Sequence, residues 1–218
     1  MADYTLFYAY DVLCGWCFGF TKTFATFLEN HPNEFQLQVV NGGMITGDRV
    51  GPIGEVAGYI SEAYKDVEER TGVKFGAGFL EGTMKEGTAI FDSIPLAKAH
   101  LAMVEQAPAR AYEFASALHS AVYVDGTAPR DQEGLGNVAA ALGLDRTQWL
   151  SDVVSEKIEA QMQQGFQLTS HLEVTGFPTL VLADSAGRYV KFSSGALPLE
   201  HLEDQFKRAK EALATATS

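Results

Sequence analysis

The hydrophobic pattern opens on residues 4–10, YTLFYAY, an aromatic-rich run ending at Asp11 that predicts a short strand and then a turn. From 17 to 28 the apolar positions Phe18, Phe20, Phe24, Phe27 and Leu28 can share one side of a helix, which should stop near Asn30-His31-Pro32. Residues 35–40, FQLQVV, partly alternate before turning apolar, and Asn41-Gly42-Gly43 closes them. Strand, helix and strand in this order predict a βαβ unit with parallel strands.

The next stretch is crowded with glycine, and its clearest periodic segment is 54–70, where Val56, Ile60, Tyr64 and Val67 are three and four apart and Thr71-Gly72 reads as a stop. Ser93 is expected near a helix cap with Pro95 in the first turn, leading into a helix to Glu105. Further helices are predicted over 109–124, 131–142 and 147–164. Strand character returns at 179–183 (TLVLA) and 188–193 (RYVKFS), and the short turn at 184–187 favours an antiparallel hairpin. A last helix is expected over 199–213, with a fraying tail.

The predicted order is therefore β-α-β, a helical block of roughly 110 residues (a span typical of a whole small domain), then β-β-α. Without the middle block this is the element order of a minimal thioredoxin fold. The fold class expected is α/β, a thioredoxin fold with a large helical insertion between its halves. The expected division is 1–45 for the first half, 46–165 for the insertion and 166–218 for the second half.

Composition narrows the function. The 218 residues are 46% hydrophobic, enough for a sizeable core. Sixteen basic residues against 28 acidic ones give a formal charge of −12, which repels phosphate backbones and anionic lipid, so neither nucleic acid nor membrane is an expected partner. The opening residues, MADYTLFYAYD, have neither a basic leader nor an apolar run with a cleavage site, which predicts a cytoplasmic protein. Apolar faces in the insertion leave monomer and homodimer both open.

Cysteine usage is the most informative feature. Both cysteines of the chain lie in Cys14-Gly15-Trp16-Cys17, at the predicted strand-to-helix junction. Two cysteines three apart at a helix start can close a small disulfide loop, with the first sulfur exposed and the second tucked under the turn. Free N–H groups and the helix dipole favour a thiolate at Cys14, which would attack and leave, while Cys17 would resolve the mixed disulfide. Half a zinc site is the main competitor, but there is no second cysteine pair, and His31, His100, His119, His171 and His201 are scattered singly. A structural disulfide is disfavoured because so small a loop removes little chain entropy. A noncatalytic peptide-binding scaffold would have no chemical need for both thiols.

Around this pair, Trp16 is expected to form a half-exposed cover beside the sulfur, and Asp11 to be a turn or capping residue more than a proton-transfer group. His171 reads as a surface or helix-ending residue. Met44, Phe75, Phe79, Phe91 and Phe166 are candidates for an apolar groove, with ordinary core packing as the default. Residues 174–179, VTGFPT, place Pro178 at a strand start, where its missing N–H is tolerated.

On Tyr10-Asp11, Cys14-Gly15-Trp16-Cys17, the helical insertion and residues 174–179, the chain resembles the DsbA-like thiol-disulfide oxidoreductases of the thioredoxin superfamily, in their cytoplasmic FrnE-like branch. The resemblance implies that Cys14 is the nucleophile, Cys17 the resolving thiol and Pro178 a cis proline facing the disulfide. It also implies that the Phe177 backbone offers an edge for an extended substrate or for glutathione. No tightly bound cofactor is expected, with protein or peptide thiols and disulfides as partners and glutathione as a candidate redox partner. Gly15 departs from the proline that many relatives carry there. The kappa-type glutathione transferases and 2-hydroxychromene-2-carboxylate isomerases are an alternative branch. They usually carry serine at the position of Cys14 and a glycine-serine-aspartate motif whose aspartate is missing from 192–197 of this chain.

Overall fold

The computed structural model describes residues 4–215. The elements run β1 (Tyr4–Tyr10), α1 (Gly15–Asn30), β2 (Phe35–Asn41), β3 (Gly51–Pro52), α2 (Ala57–Thr71), α3 (Met84–Glu86), β4 (Ile90–Phe91), α4 (Ser93–Gln106), α5 (Ala111–Tyr123), α6 (Gln132–Ala141), α7 (Arg146–Asp152), α8 (Glu156–His171), β5 (Thr179–Asp184), β6 (Tyr189–Ser194) and α9 (Leu199–Thr215). The main sheet has the order β2-β1-β5-β6. β1 runs parallel to β2 and antiparallel to β5, and β5-β6 is the expected antiparallel hairpin. This is a thioredoxin-like α/β fold with a large helical insertion between its strand halves.

The opening strand works on both of its faces, since Leu6, Tyr8 and Tyr10 are buried together with Ala9. Tyr8 packs on Phe24 of α1 with ring centroids 4.6 Å apart. Phe27 of the same helix meets Phe206 of α9 edge-on at 5.2 Å, which ties the first half of the thioredoxin unit to the last helix. In the insertion, Trp149 is fully buried and its indole N–H donates to the Ala99 carbonyl at 3.1 Å.

Ser93 does lie next to a helix cap, which is Asp92, accepting from the Ile94 N–H at 3.0 Å. Several local expectations need correction. The helix predicted over 147–164 is two helices, because Ser155 leaves helical geometry and caps α8 through a bond from the Ile158 N–H at 3.3 Å. The segment expected to start at 54 forms a 3-10 turn over Ile53–Glu55 before α2 begins. The paired strands β3 and β4 and a π-helical turn over Gly78–Thr83 were not foreseen, being two residues per strand or wound on glycines that mask periodicity. Gly72 does end α2, in a left-handed conformation at φ 75°. The last helix reaches Thr215, and the remainder of the expected frayed tail, 216–218, lies outside the described residues. Among the described residues no helix is long and apolar enough to cross a membrane.

Candidate active site

The turn after β1 aims the start of α1 at the far end of the sheet. Cys14 is the N-cap of that helix, with extended backbone geometry. Its sulfur accepts from the Cys17 N–H at 3.3 Å, and its carbonyl accepts from the N–H groups of Cys17 and Phe18 at 2.9 and 3.1 Å. The Cys17 N–H and the positive end of a sixteen-residue helix are thus directed at one sulfur. On the other side, the Cys14 thiol donates to the Phe177 carbonyl at 3.3 Å. Both cysteines are free thiols. Cys17 is fully buried, and burial pushes its thiol well above the ordinary range, with the bond to Cys14 adding to the rise.

The expectation of an exposed first sulfur is overturned. Cys14 is only 5% exposed and faces a cavity of about 280 Å³ in place of open solvent. Residues 44–75 fold over this end of α1, so the insertion provides the roof. Trp16 is half-buried in the cavity wall, with the Arg70 guanidinium 5.9 Å from its ring centroid.

Asp11 holds the surrounding loops together. Its carboxylate accepts from the Leu13 N–H at 2.9 Å, the Met44 N–H at 2.7 Å and the Ser93 hydroxyl at 3.0 Å. Its carbonyl accepts from the Cys14 N–H at 3.0 Å and from the buried His119 Nε2 at 3.2 Å. Burial raises the Asp11 carboxyl, and the three hydrogen bonds oppose that rise. One buried side chain therefore links the cysteine turn, the loop after β2 and the start of α4.

Pro178 is buried at the start of β5, and the Phe177–Pro178 peptide bond is cis. Phe177 is half-buried, and its ring lies over Gly42, where an added Cβ would fall 2.0 Å from the ring. Sequence reading assigned Gly42 only the closing of a strand; its bare backbone is what lets Phe177 approach Cys14. Gly15 borders the cavity beside Phe75. Met44, Phe75 and Phe91 line that cavity, whereas Phe79 is fully buried core and Phe166 packs against the backbone at Gly43. His171 is exposed at the end of α8. Ser93 and His119 were missed as neighbours of the cysteine turn, since a serine at a helix start and a lone histidine in a helix look alike anywhere in a sequence. Among the described residues no three His, Cys, Asp or Glu side chains converge as a metal-ligand set.

The sequence matches the DSBA-like thioredoxin domain over residues 6–207. The chain belongs to that family. No curated protein matches this DSBA-like chain. Among solved structures, the cytosolic disulfide reductase DsbM from Pseudomonas aeruginosa is 27% identical, with a TM-score of 0.79 and coverage of 94% of this chain and 100% of the other. DsbM with GSH is similar at 26% identity and a TM-score of 0.76, covering 93% and 99%. A proposed protein disulfide isomerase from Nitrosomonas europaea shares the fold at 22% identity and a TM-score of 0.85, covering 96% and 98%. Thiol-disulfide exchange is the chemistry that fits this DSBA-like chain and its cysteine pair.

Proposed function

We propose that this protein is a cytoplasmic thiol-disulfide oxidoreductase of the FrnE-like branch, acting on protein or peptide disulfides chiefly as a reductase or isomerase. The single observation that carries the reading is the position of the Cys14 sulfur, which accepts a first-turn N–H of α1 and donates to the Phe177 carbonyl. A thiolate formed there keeps the Cys17 N–H as a stabilising donor and is freed to attack.

In the reductive direction the Cys14 thiolate attacks one sulfur of a substrate disulfide, forming a mixed disulfide and releasing the first substrate thiolate. Cys17 then loses its proton and attacks the Cys14 sulfur, releasing the second substrate thiol and leaving a Cys14–Cys17 disulfide. Two molecules of glutathione restore the dithiol and leave as one glutathione disulfide. Burial of the Cys17 thiol suits a group that stays protonated until the mixed disulfide forms. The Phe177 and Pro178 backbone is assigned to hold the extended substrate or glutathione beside Cys14. Asp11, Gly15 and Trp16 are positioning residues. Similarity to DsbM, a cytosolic disulfide reductase with a GSH structure, supports both the direction and the redox partner.

A redox titration in glutathione buffers, with thiol trapping and mass analysis, tests the reading. A reversible Cys14–Cys17 disulfide is expected, with a midpoint on the reducing side. A pair that stays inert across the titration would sink it.

A further inference from the structure

A second cavity, of about 360 Å³, lies among α4, α6 and α7 of the insertion and shares no lining residue with the cavity beside Cys14. Its apolar floor is made by Leu135, Trp149 and Val153, all buried, and Val154 at its edge is 69% exposed. The polar part of the lining is Lys98, Arg130 and Gln132. Among the described lining residues there is no Asp, Glu or His. In a chain with a formal charge of −12, a cavity whose charged lining groups are both cations runs against the prevailing field.

Each cation already holds one carboxylate, and both carboxylates belong to residues outside the lining. Arg130 donates to Asp92, the cap of α4, at 2.7 Å, and Lys98 pairs with Glu159 at 2.8 Å. A guanidinium has five N–H donors and an ammonium three, so these contacts steady the two head groups and leave donors over. The Gln132 side chain adds an amide. The side chains of Arg130 and Lys98 are 53% and 22% exposed, so the donors meet water at the mouth while Leu135 and Trp149 do not.

An occupant that uses both parts has an apolar body and one carboxylate. An apolar cavity of about 150 Å³ is enough for benzene, so this one admits two fused rings, and it falls within the roughly 300–1,000 Å³ of small-molecule sites. A carboxylate at the mouth keeps part of its water and gains charge-assisted hydrogen bonds, whereas on the floor it would lose its water without a partner. The apolar body would cover the floor and the exposed Val154. A peptide is less well served, because no lining residue belongs to a strand and its backbone would find no edge to pair with.

We infer that this cavity is a binding site for a small apolar carboxylic acid, of one or two rings in size, held by Arg130, Lys98 and Gln132 above the Leu135, Trp149 and Val153 floor. It gives the insertion a ligand-binding role of its own, which stands whether or not the thiols at Cys14 and Cys17 exchange.

The test is calorimetric titration of the full chain with naphthoate, its neutral isostere naphthamide, acetate and N-acetylphenylalanine. Naphthoate is expected to bind saturably with a Kd of about 1 mM or below. Naphthamide should bind roughly tenfold more weakly for want of the charge-assisted bonds, and acetate, which has no apolar body, should show no saturable binding. Gln132→Glu puts a carboxylate in the lining at an exposed first-turn position of α6, where an acid suits the helix. It should weaken naphthoate about tenfold by repulsion and leave naphthamide unchanged. Arg130→Gln should act in the same direction, and Gln132→Glu carries the test alone if loss of the Asp92 pair unfolds that variant. Equal binding of naphthoate and naphthamide, no saturable binding of either, or naphthoate binding that the folded variants leave unaltered would overturn the site. Tighter binding of N-acetylphenylalanine than of naphthoate would overturn the small-acid assignment in favour of a peptide terminus.

Discussion

The Cys14 thiol and the Phe177 carbonyl, 163 residues apart in the chain, meet at 3.3 Å. The contact joins the two halves of the thioredoxin unit across the whole helical insertion. It requires the parallel β1-β2 pair, the antiparallel β1-β5 pair and a glycine at 42 beneath the Phe177 ring.

The two thiols should separate cleanly by substitution. Cys14→Ser is expected to reduce disulfide exchange to background. Cys17→Ser should retain the first attack and accumulate a mixed disulfide at Cys14, visible as an added substrate mass that a reductant removes. Adducts forming on Cys17 in Cys14→Ser at the parental rate would reverse the assignment, against the full burial of Cys17.

Asp11 should matter for stability before chemistry. Asp11→Ala leaves the Leu13 and Met44 N–H groups and the Ser93 hydroxyl without their shared acceptor. A loss on the order of 3 kcal/mol is expected, read from urea unfolding, with Asp11→Asn intermediate. A change within error for Asp11→Ala would show that water replaces the carboxylate at no cost.

Acid should destabilise the fold through two buried histidines. His100 donates from Nε2 to the Ala111 carbonyl at 2.8 Å and accepts at Nδ1 from the Asn41 amide at 3.2 Å, so a second proton would face another donor. His119 is likewise neutral, and burial lowers each to about 4 from an ordinary 6.5. Between those values the unfolded chain binds more protons than the folded one, so stability falls as pH drops. Each histidine contributes up to about 3 kcal/mol. Asp11, raised by burial, works in the opposite sense, since its contribution is present at low pH and is lost as pH rises through its folded value. Urea midpoints across this window should fall towards acid, and His100→Gln should flatten the slope. A flat profile in the parent protein would contradict the neutral, buried assignment.

Two glycines should respond in opposite directions. At Gly19 of α1 an added Cβ would lie 2.8 Å from a Val67 methyl and 2.9 Å from a Thr71 methyl, both on α2. Gly19→Val is expected to cost about 1–3 kcal/mol by overpacking and to disturb the cavity wall, since Val67 lines it. Gly58 of α2 has open space where a Cβ would go, so Gly58→Ala should stabilise by about 0.5–1 kcal/mol. Thermal melts of the two variants test both directions, and equal melting temperatures would refute the close packing of α1 on α2.

The sequence by itself determined the element order, the parallel opening pair, the closing hairpin and the placing of Cys14 at the start of a helix. These are local matters, set by apolar spacing, turn residues and capping. Tertiary structure alone decided which distant groups surround the sulfur. Asp11 looked like a turn residue and proved to be a buried acceptor for three separate segments. Ser93 does lie beside the cap of α4, but only the fold shows that Asp92 serves the first turn while the Ser93 hydroxyl bonds Asp11. Gly42 and His119 carried no distinguishing pattern, since a close approach and a buried ring depend on what packs opposite them. The cavity followed the same logic: Ile60 and Ala63 belong to an ordinary amphipathic helix until α2 is laid against α1, and only that packing turns their apolar face towards Cys14.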